Sequence, residues 1–229
     1  PDSGYDFENV TADLHALIAA LGLEAPIVAG QSWGGNVVLD FAARYPGAAS
    51  GIALVDGGFI DLQSMPGATW ETVSVQLRPP ALAGTPRAEM LARMRGYHPG
   101  WSDEGIEHSL ANFEMLPDGA IRPWLTLDRH MQILRSLWEQ QVAHIYPQVI
   151  TPTLVMAAGG GPSDRQERKQ AEVAAAERLL PRARVTWFPD TDHDMHVQRP
   201  EETAQLLLAA LNDAATTSVR LAVRADGCP

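Results

Sequence analysis

The sequence predicts an α/β protein with a mostly parallel sheet flanked by helices and a helical cap inserted after the second strand. Two observations support this prediction. Short apolar runs, typical of buried strands, alternate with longer segments whose apolar residues recur at helical spacing. Between the second and third of these runs, residues 59–149 show helical patches without further buried strands.

The first 58 residues contain two predicted helices and two predicted strands. Asp6 is expected to cap a helix over residues 7–21, in which apolar residues recur every three or four positions. A short apolar run at residues 26–29 predicts the first strand, and residues 33–45 predict the second helix. Residues 51–56 form the next apolar run and are the second predicted strand.

The predicted cap differs in composition from the rest of the chain. It is rich in proline and has helical patches at residues 88–95 and 127–141. We predict no regular buried strand in it. Four of the six tryptophans lie there, and they are candidates for pocket walls, although packing of the cap is the more usual role for any one of them: Trp70, Trp101, Trp124 and Trp138.

Two more strands and two more helices follow the cap. Residues 153–157 and 184–188 predict the strands, and a charged helix over about residues 165–180 lies between them. Pro200 opens a last helix that extends to about Leu211, since proline is favoured in the first helical turn.

These elements predict a division of the chain into a sheet domain, a cap and a tail. The sheet domain comprises residues 1–58 and 150–212, and the cap comprises residues 59–149. Residues 213–229 show no clear pattern, so we predict that they are disordered.

Composition excludes several classes of partner and site. The net charge of −11, from 17 basic and 28 acidic residues, disfavours nucleic acid and anionic membranes, because both repel an acidic chain. The single cysteine, Cys228, excludes a disulfide framework and a cysteine-rich metal site. No run approaches the roughly 18 apolar residues of a membrane span. No signal peptide pattern is visible either, so we expect a cytoplasmic protein.

The most informative motif lies between the first predicted strand and the second predicted helix. Gly30-Gln31-Ser32-Trp33-Gly34 matches the pattern G-x-S-x-G. A sharp strand-to-helix turn forces the central serine into strained backbone angles and exposes its hydroxyl, and glycines two residues before and after avoid clashes. With a strand before it and a helix after it, the motif predicts Ser32 as a nucleophile rather than part of a chance Gly-Ser-Gly turn.

A nucleophilic serine needs a base, and the loop after the fourth predicted strand supplies a candidate. Loops at the carboxyl ends of parallel strands gather at one edge of the sheet, so His193 is placed to meet Ser32. His196 is the alternative, although its more usual role would be to line a wall or begin a helix. We expect a ring nitrogen of His193 to lie nearer to the Ser32 hydroxyl than that of any other histidine.

With Ser32 and His193 in this order, the chain resembles the α/β-hydrolase superfamily, in its capped serine hydrolase or esterase type. Residues 192–200, in which His193 is followed seven residues later by Pro200, are similar to the histidine loop of that family. The resemblance covers about residues 7–58 and 150–212, and the cap matches only in a general way. It implies a Ser–His–acid triad that acts through an acyl-enzyme.

The resemblance leaves two candidates for the acid. Family members usually carry it shortly after the strand represented here by residues 153–157, where Asp164 is the carboxylate available, about three residues later than usual. Some branches place the acid at the end of the preceding strand, which is Asp56 in this chain. Asp56 needs no loop excursion to reach His193, so we prefer it. If these residues have only structural roles, Asp56 belongs to a turn and Asp164 caps a helix.

The resemblance also implies an oxyanion hole made of two backbone N–H groups. One belongs to Trp33, and the family takes the other from the loop after its third strand, which has no counterpart in this sequence. The family's usual first four strands have no counterpart before residue 7, and the chain does not begin with Met. We therefore expect an N-terminally truncated hydrolase, about its C-terminal two thirds.

Two functions fit these features. The first is a serine hydrolase that cleaves a small ester-like substrate, which could be an ester, a thioester, a lactone or an amide. The second is a catalytically impaired hydrolase-like scaffold that binds a small ligand or partner, which the displaced acid and the missing oxyanion donor would favour. Neither function requires a cofactor or a metal. A small-molecule substrate is the expected partner, and the sequence leaves the oligomeric state open.

Overall fold

Over residues 7–55 and 153–198, strands and helices alternate along the chain, as the spacing of the apolar residues predicts. The structure is a computed structural model that describes residues 2–210, so the tail predicted to be disordered, residues 213–229, lies outside the described residues. In chain order the elements are α1 (Phe7–Ala20), β1 (Ile27–Gln31), α2 (Trp33–Arg44), β2 (Gly51–Val55), α3 (Trp70–Gln76), β3 (Thr85–Pro86), α4 (Arg87–Tyr97), α5 (Asp103–Ser109), β4 (Phe113–Met115), β5 (Ala120–Pro123), α6 (Leu127–Glu139), α7 (Val142–Ile145), β6 (Thr153–Gly159), α8 (Ser163–Leu179), β7 (Ala183–Pro189), α9 (Met195–Gln198) and α10, described over residues 200–210.

The central sheet has the strand order β1-β2-β6-β7, and each neighbouring pair is parallel. The carboxyl ends of parallel strands meet at one edge of a sheet. Ser32 follows β1 there, Asp56 follows β2, and His193 follows β7 by a short loop. The topology therefore brings to one edge three residues that are far apart in sequence.

The middle strands are apolar along their length because helices cover both faces of the sheet. On one face, Leu54 and Val155 are fully buried against a cluster that includes Phe41 of α2 and Val173 of α8. On the other face, Ala53 and Met156 are fully buried, and residues of α10 pack against their cluster. This two-sided packing fixes the strand ends that hold the site.

The segment predicted to form the cap, residues 59–149, is not purely helical, and it is called the cap below. Strands β3, β5 and β4 form a three-stranded antiparallel sheet, in which Ile121 is fully buried. The prediction of no regular buried strand in this segment missed this sheet, in which the first two residues of β5 are buried. These strands are two to four residues long, too short to show the alternation by which a strand is recognised in sequence.

Helices α3 and α6 of the cap pack on α1 and α2 of the sheet domain. The joint is an apolar cluster in which Val73 and Leu134 of the cap meet Phe7 and Val37. Trp33, Trp70 and Trp138 pack against this cluster, whereas Trp124 is exposed. The cap is therefore seated beside the residue that follows Ser32. Among residues 2–210, the structure contains no helix with the length and apolar character needed to cross a membrane.

Candidate active site

Ser32 lies on a tight turn between β1 and α2, in a backbone conformation that side-chain-bearing residues rarely adopt. Its φ is 55° and its ψ is −124°. The Ser32 N–H donates to the carbonyl of Val55 at 2.9 Å, and the Ser32 carbonyl accepts from the Gly35 N–H at 2.9 Å. Such a conformation costs about 1–3 kcal/mol and persists only where the surroundings impose it. The strained turn predicted for the G-x-S-x-G motif is present.

The glycines around Ser32 do not all have the role that the motif suggests. A Cβ at Gly30 would run into the carbonyl oxygen of Gly34, so Gly30 is sterically required. At Gly34 a Cβ would meet nothing within 4 Å, so the predicted clash at this position was wrong. The close approach is made instead by Gly35, where a Cβ would lie 2.7 Å from the backbone of Gly57 and Gly58. The turn after β2 contacts α2 at Gly35, one residue after the second glycine of the motif.

This difference predicts opposite outcomes for two neighbouring substitutions. Gly35→Ala should lower the free energy of unfolding by about 1–3 kcal/mol, because its methyl group would displace the backbone after β2. Gly34→Ala should leave stability unchanged or raise it by up to about 1 kcal/mol, since alanine favours a helix more than glycine does. Urea unfolding of both variants measures this pair of effects, and equal destabilisation would contradict the steric assignment.

His193 joins Ser32 to Asp56 in a continuous line of hydrogen bonds. The distance between His193 Nε2 and Ser32 Oγ is 2.8 Å, and that between His193 Nδ1 and Asp56 Oδ2 is 2.6 Å. The predicted proximity of His193 to Ser32 is confirmed. Within residues 2–210, no hydrogen bond links His196 to Ser32, and His196 is exposed in α9. This geometry is that of a Ser–His–Asp triad.

Asp56 is the acid that reaches His193. Its side chain is 1% exposed, and its Oδ1 accepts a hydrogen bond of 2.9 Å from the Ala158 N–H. Its own N–H donates to the carbonyl of Met156 at 2.7 Å, so β6 fixes both its backbone and its carboxylate. Asp164 is exposed in the first turn of α8, and no contact among the described residues joins it to His193. Asp56, rather than Asp164, therefore lies within hydrogen-bonding distance of His193.

Neighbouring groups keep the Asp56 carboxylate ionised. Burial of the carboxylate disfavours ionisation, but the hydrogen bond from His193 and the positive charge of Lys169 outweigh it. The pKa of Asp56 therefore lies below its ordinary value, and the group is an anion at neutral pH. Lys169 Nζ is 2.9 Å from Asp56 Oδ2. No pattern in the sequence indicates this contact, because Lys169 lies in the highly charged first half of α8.

The histidine loop is anchored on two sides. Gln31, the residue before Ser32, donates from Nε2 to the carbonyl of His193 at 3.3 Å and to Asp194 Oδ1 at 3.4 Å. On the other side, the Gly160 N–H donates to the carbonyl of Thr191 at 2.8 Å. A Cβ at Gly160 would lie 2.7 Å from that carbonyl oxygen. Sequence reasoning missed Gln31 and Gly160, although glycines in succession at 159–161 can signal a close backbone approach.

Two cavities flank the histidine loop. One, of about 340 Å³, lies beside Asp56 and His193 and is partly walled by Phe59 and Ile60. The other, of about 440 Å³, lies between the cap and α9 and is lined by Trp101, among other residues. Both volumes are within the range of small-molecule sites.

Comparison with known proteins gives a consistent result. A model of the alpha/beta hydrolase family matches residues 1–206. The chain is 24% identical over 208 residues to 2-(acetamidomethylene)succinate hydrolase of Mesorhizobium japonicum, covering 90% of this chain and 71% of that protein. The crystal structure of E-2-(acetamidomethylene)succinate hydrolase superposes with a TM-score of 0.75 at 20% identity, over 93% of this chain and 76% of that one. N-formylmaleamic acid deformylase of Pseudomonas putida S16 superposes with a TM-score of 0.61 at 21% identity, over 90% and 74% of the two chains. These structural likenesses show the fold.

Proposed function

The chain belongs to the alpha/beta hydrolase family, and on that premise we propose that it is a serine hydrolase that cleaves a small ester-like substrate through an acyl-enzyme on Ser32. The observation that carries this proposal is the unbroken line of hydrogen bonds from Ser32 through His193 to Asp56. We assign residues 1–58 and 150–212 to the catalytic domain and residues 59–149 to a cap over it.

The first half-reaction begins with the proton of Ser32. Because Asp56 accepts from Nδ1–H, the network assigns to His193 the tautomer whose Nε2 is free to accept the Ser32 proton. As this proton moves to Nε2, Ser32 Oγ attacks the carbonyl carbon of the substrate. The Asp56 carboxylate stabilises the imidazolium that forms, and His193 then gives the proton to the leaving group.

The negative charge that develops on the carbonyl oxygen needs N–H donors. Trp33 is the first residue of α2, and the first N–H groups of a helix have no acceptor within the helix. Its N–H is therefore available to the oxyanion, at the positive end of the α2 dipole. In the second half-reaction, water attacks the acyl-enzyme with His193 as the base, and Ser32 is released.

The relatives indicate which amides are worth testing. Both named relatives, a 2-(acetamidomethylene)succinate hydrolase and an N-formylmaleamic acid deformylase, act on small acids that carry an N-acyl group. We therefore include amides of small acids among the candidates beside esters, thioesters and lactones.

A substrate panel tests the proposed function. Purified chain is offered short-chain p-nitrophenyl esters, acyl thioesters, lactones and N-acyl amides of small dicarboxylic acids, with the Ser32→Ala variant as the blank. We expect turnover above that blank in at least one class. A folded chain without turnover, and without reaction of Ser32 with a fluorophosphonate, would favour the alternative of a hydrolase-like scaffold that binds a small ligand.

The identity of the acid gives a separate prediction. Asp56→Asn should lower kcat by about 10⁴-fold, because the amide cannot stabilise the imidazolium and favours the wrong tautomer of His193. Asp164→Asn is the matched control and should stay within about threefold of the native rate, since Asp164 is exposed in α8. Steady-state kinetics on the best substrate of the panel measures both. A large loss in Asp164→Asn with little loss in Asp56→Asn would reverse the assignment.

A further inference from the structure

Lys169 is the only lysine in the chain, and it lies against the acid of the candidate triad. Its side chain is 20% exposed, and its Nζ is 2.9 Å from Asp56 Oδ2 and 3.0 Å from the carbonyl oxygen of Ala158. Lysine is rarely buried unless it is paired, because the ammonium group loses its hydration. The mechanism above does not use this residue, so its position requires another explanation.

The contact falls on the carboxylate oxygen that also serves His193. Asp56 Oδ2 accepts from His193 Nδ1–H at 2.6 Å and from Lys169 at 2.9 Å, while Oδ1 is occupied by the Ala158 N–H. When His193 takes up a proton, two cations share one oxygen. Like charges at this separation disfavour one another, so Lys169 opposes every proton added to the Asp56–His193 pair.

A series of hydrogen bonds holds in place the segments that surround Lys169. Gln166, one turn earlier in α8, donates from Nε2 to the carbonyl of Gly160. The Gly160 N–H in turn donates to Thr191 in the histidine loop. Helix α8, the end of β6 and the loop that carries His193 are thus bonded to one another around the Lys169–Asp56 pair.

We propose, on the basis of the function proposed above, that Lys169 is a positioning residue of this site. Its ammonium group holds the Asp56 carboxylate toward His193. It also keeps the Asp56–His193 pair unprotonated, and therefore active, in more acidic solution than the same pair could tolerate without the cation.

Other charged groups surround Asp56 and His193 and also affect the protonation of these two residues. Arg168 is 3.5 Å from Glu172, and burial raises the pKa of Glu172, so this carboxyl could also titrate in acid. The remaining groups come from α8, from the start of the cap and from the histidine loop: Arg165, Asp61, Asp192, Asp194 and, 4.0 Å from Asp192, His98 of the cap. Substitution of Lys169 leaves all of them in place, so a comparison of two replacements isolates its charge.

The first test compares Lys169→Gln, which keeps an N–H donor and removes the charge, with Lys169→Arg, which keeps the charge. The rate at which a fluorophosphonate labels Ser32 is measured against pH. We expect the acid limb of the Gln variant to lie about one pH unit higher than the native limb, with labelling about tenfold slower near pH 5.5 and within about threefold near pH 8. The Arg variant should follow the native profile.

Two results of this test would overturn the inference. One is a Gln profile that superimposes on the native profile. The other is a uniform loss in the Gln variant at every pH with an unmoved acid limb, which would indicate a purely structural residue. Lys169→Met is a second charge-removing variant in case the Gln variant does not fold, and circular dichroism checks the fold of each.

A second test needs no chemistry at Ser32. Because Lys169 is the only lysine, native protein grown on ¹³C-lysine gives one side-chain ε-carbon resonance. We expect this resonance to move in acid as the Asp56–His193 pair takes up a proton, and that step to be lost in Asp56→Asn, whereas a step caused by Glu172 would remain in that variant. A resonance that does not move would overturn the inference. Failure of the native chain to label at Ser32 would instead refute the proposed function and leave this result to decide the role of Lys169.

Discussion

Replacing Ser32 by alanine is expected to lower kcat by about 10⁵- to 10⁶-fold while the chain stays folded. Nucleophile and base act as a unit, so the loss of either removes most of the acceleration that the triad provides. The strained turn is imposed by the backbone around Gly30, Gly35 and Gly57 rather than by the hydroxyl group. Thermal unfolding of Ser32→Ala should therefore match the native curve or shift slightly upward.

Ser163→Ala is the matched control for this prediction. Ser163 is exposed at the first turn of α8, so its replacement should leave kcat within about threefold of the native value. Steady-state kinetics gives both numbers, and active-site titration of the Ser32→Ala sample measures any contaminating active enzyme. A Ser32→Ala variant that retained native turnover would refute the triad.

Replacing His193 by alanine is expected to reduce kcat by a similar factor of about 10⁵ to 10⁶. Without the imidazole, Ser32 has no group that can accept its proton at 2.8 Å, and the leaving group has no acid. The Asp56 carboxylate would keep the Ala158 N–H and Lys169 as partners. The loss should therefore appear in kcat rather than in the free energy of unfolding.

His196→Ala provides the comparison for His193. His196 is exposed in α9 and lines the cavity between the cap and α9, so its loss should change KM more than kcat. Kinetics on the same substrate separates the two parameters. A loss of kcat that was larger in His196→Ala than in His193→Ala would show that His196, and not His193, is the base.

The parts of the site that the sequence predicted are those set by the order of elements. Ser32 lies between a strand and a helix, and His193 follows the last strand, so parallel topology alone places them at one edge. Asp56 could be preferred for the same reason, since it ends β2 directly. Asp164 is a candidate because the resemblance places the acid after the strand at residues 153–157, but the structure puts Asp164 in the first turn of α8.

The parts that could not be predicted depend on contacts between separate segments. Gly35 is required because the turn at Gly57 presses on α2, and this contact joins residues that no local motif relates. Lys169 pairs with an aspartate 113 positions away, and its helix carries so many charges that it looks like a solvated surface. The short strands of the cap pair across loops, so their hydrogen bonds, rather than a pattern of side chains, define them.

The most direct test of the account is the site of covalent reaction with a fluorophosphonate. Only an activated serine reacts quickly with such a probe, and peptide mapping by mass spectrometry identifies the residue. We predict one adduct per chain, on Ser32, formed in the native protein and lost in both His193→Ala and Asp56→Asn. A folded native chain that forms no adduct, or forms it on another residue, would contradict the claim that Ser32, His193 and Asp56 act together.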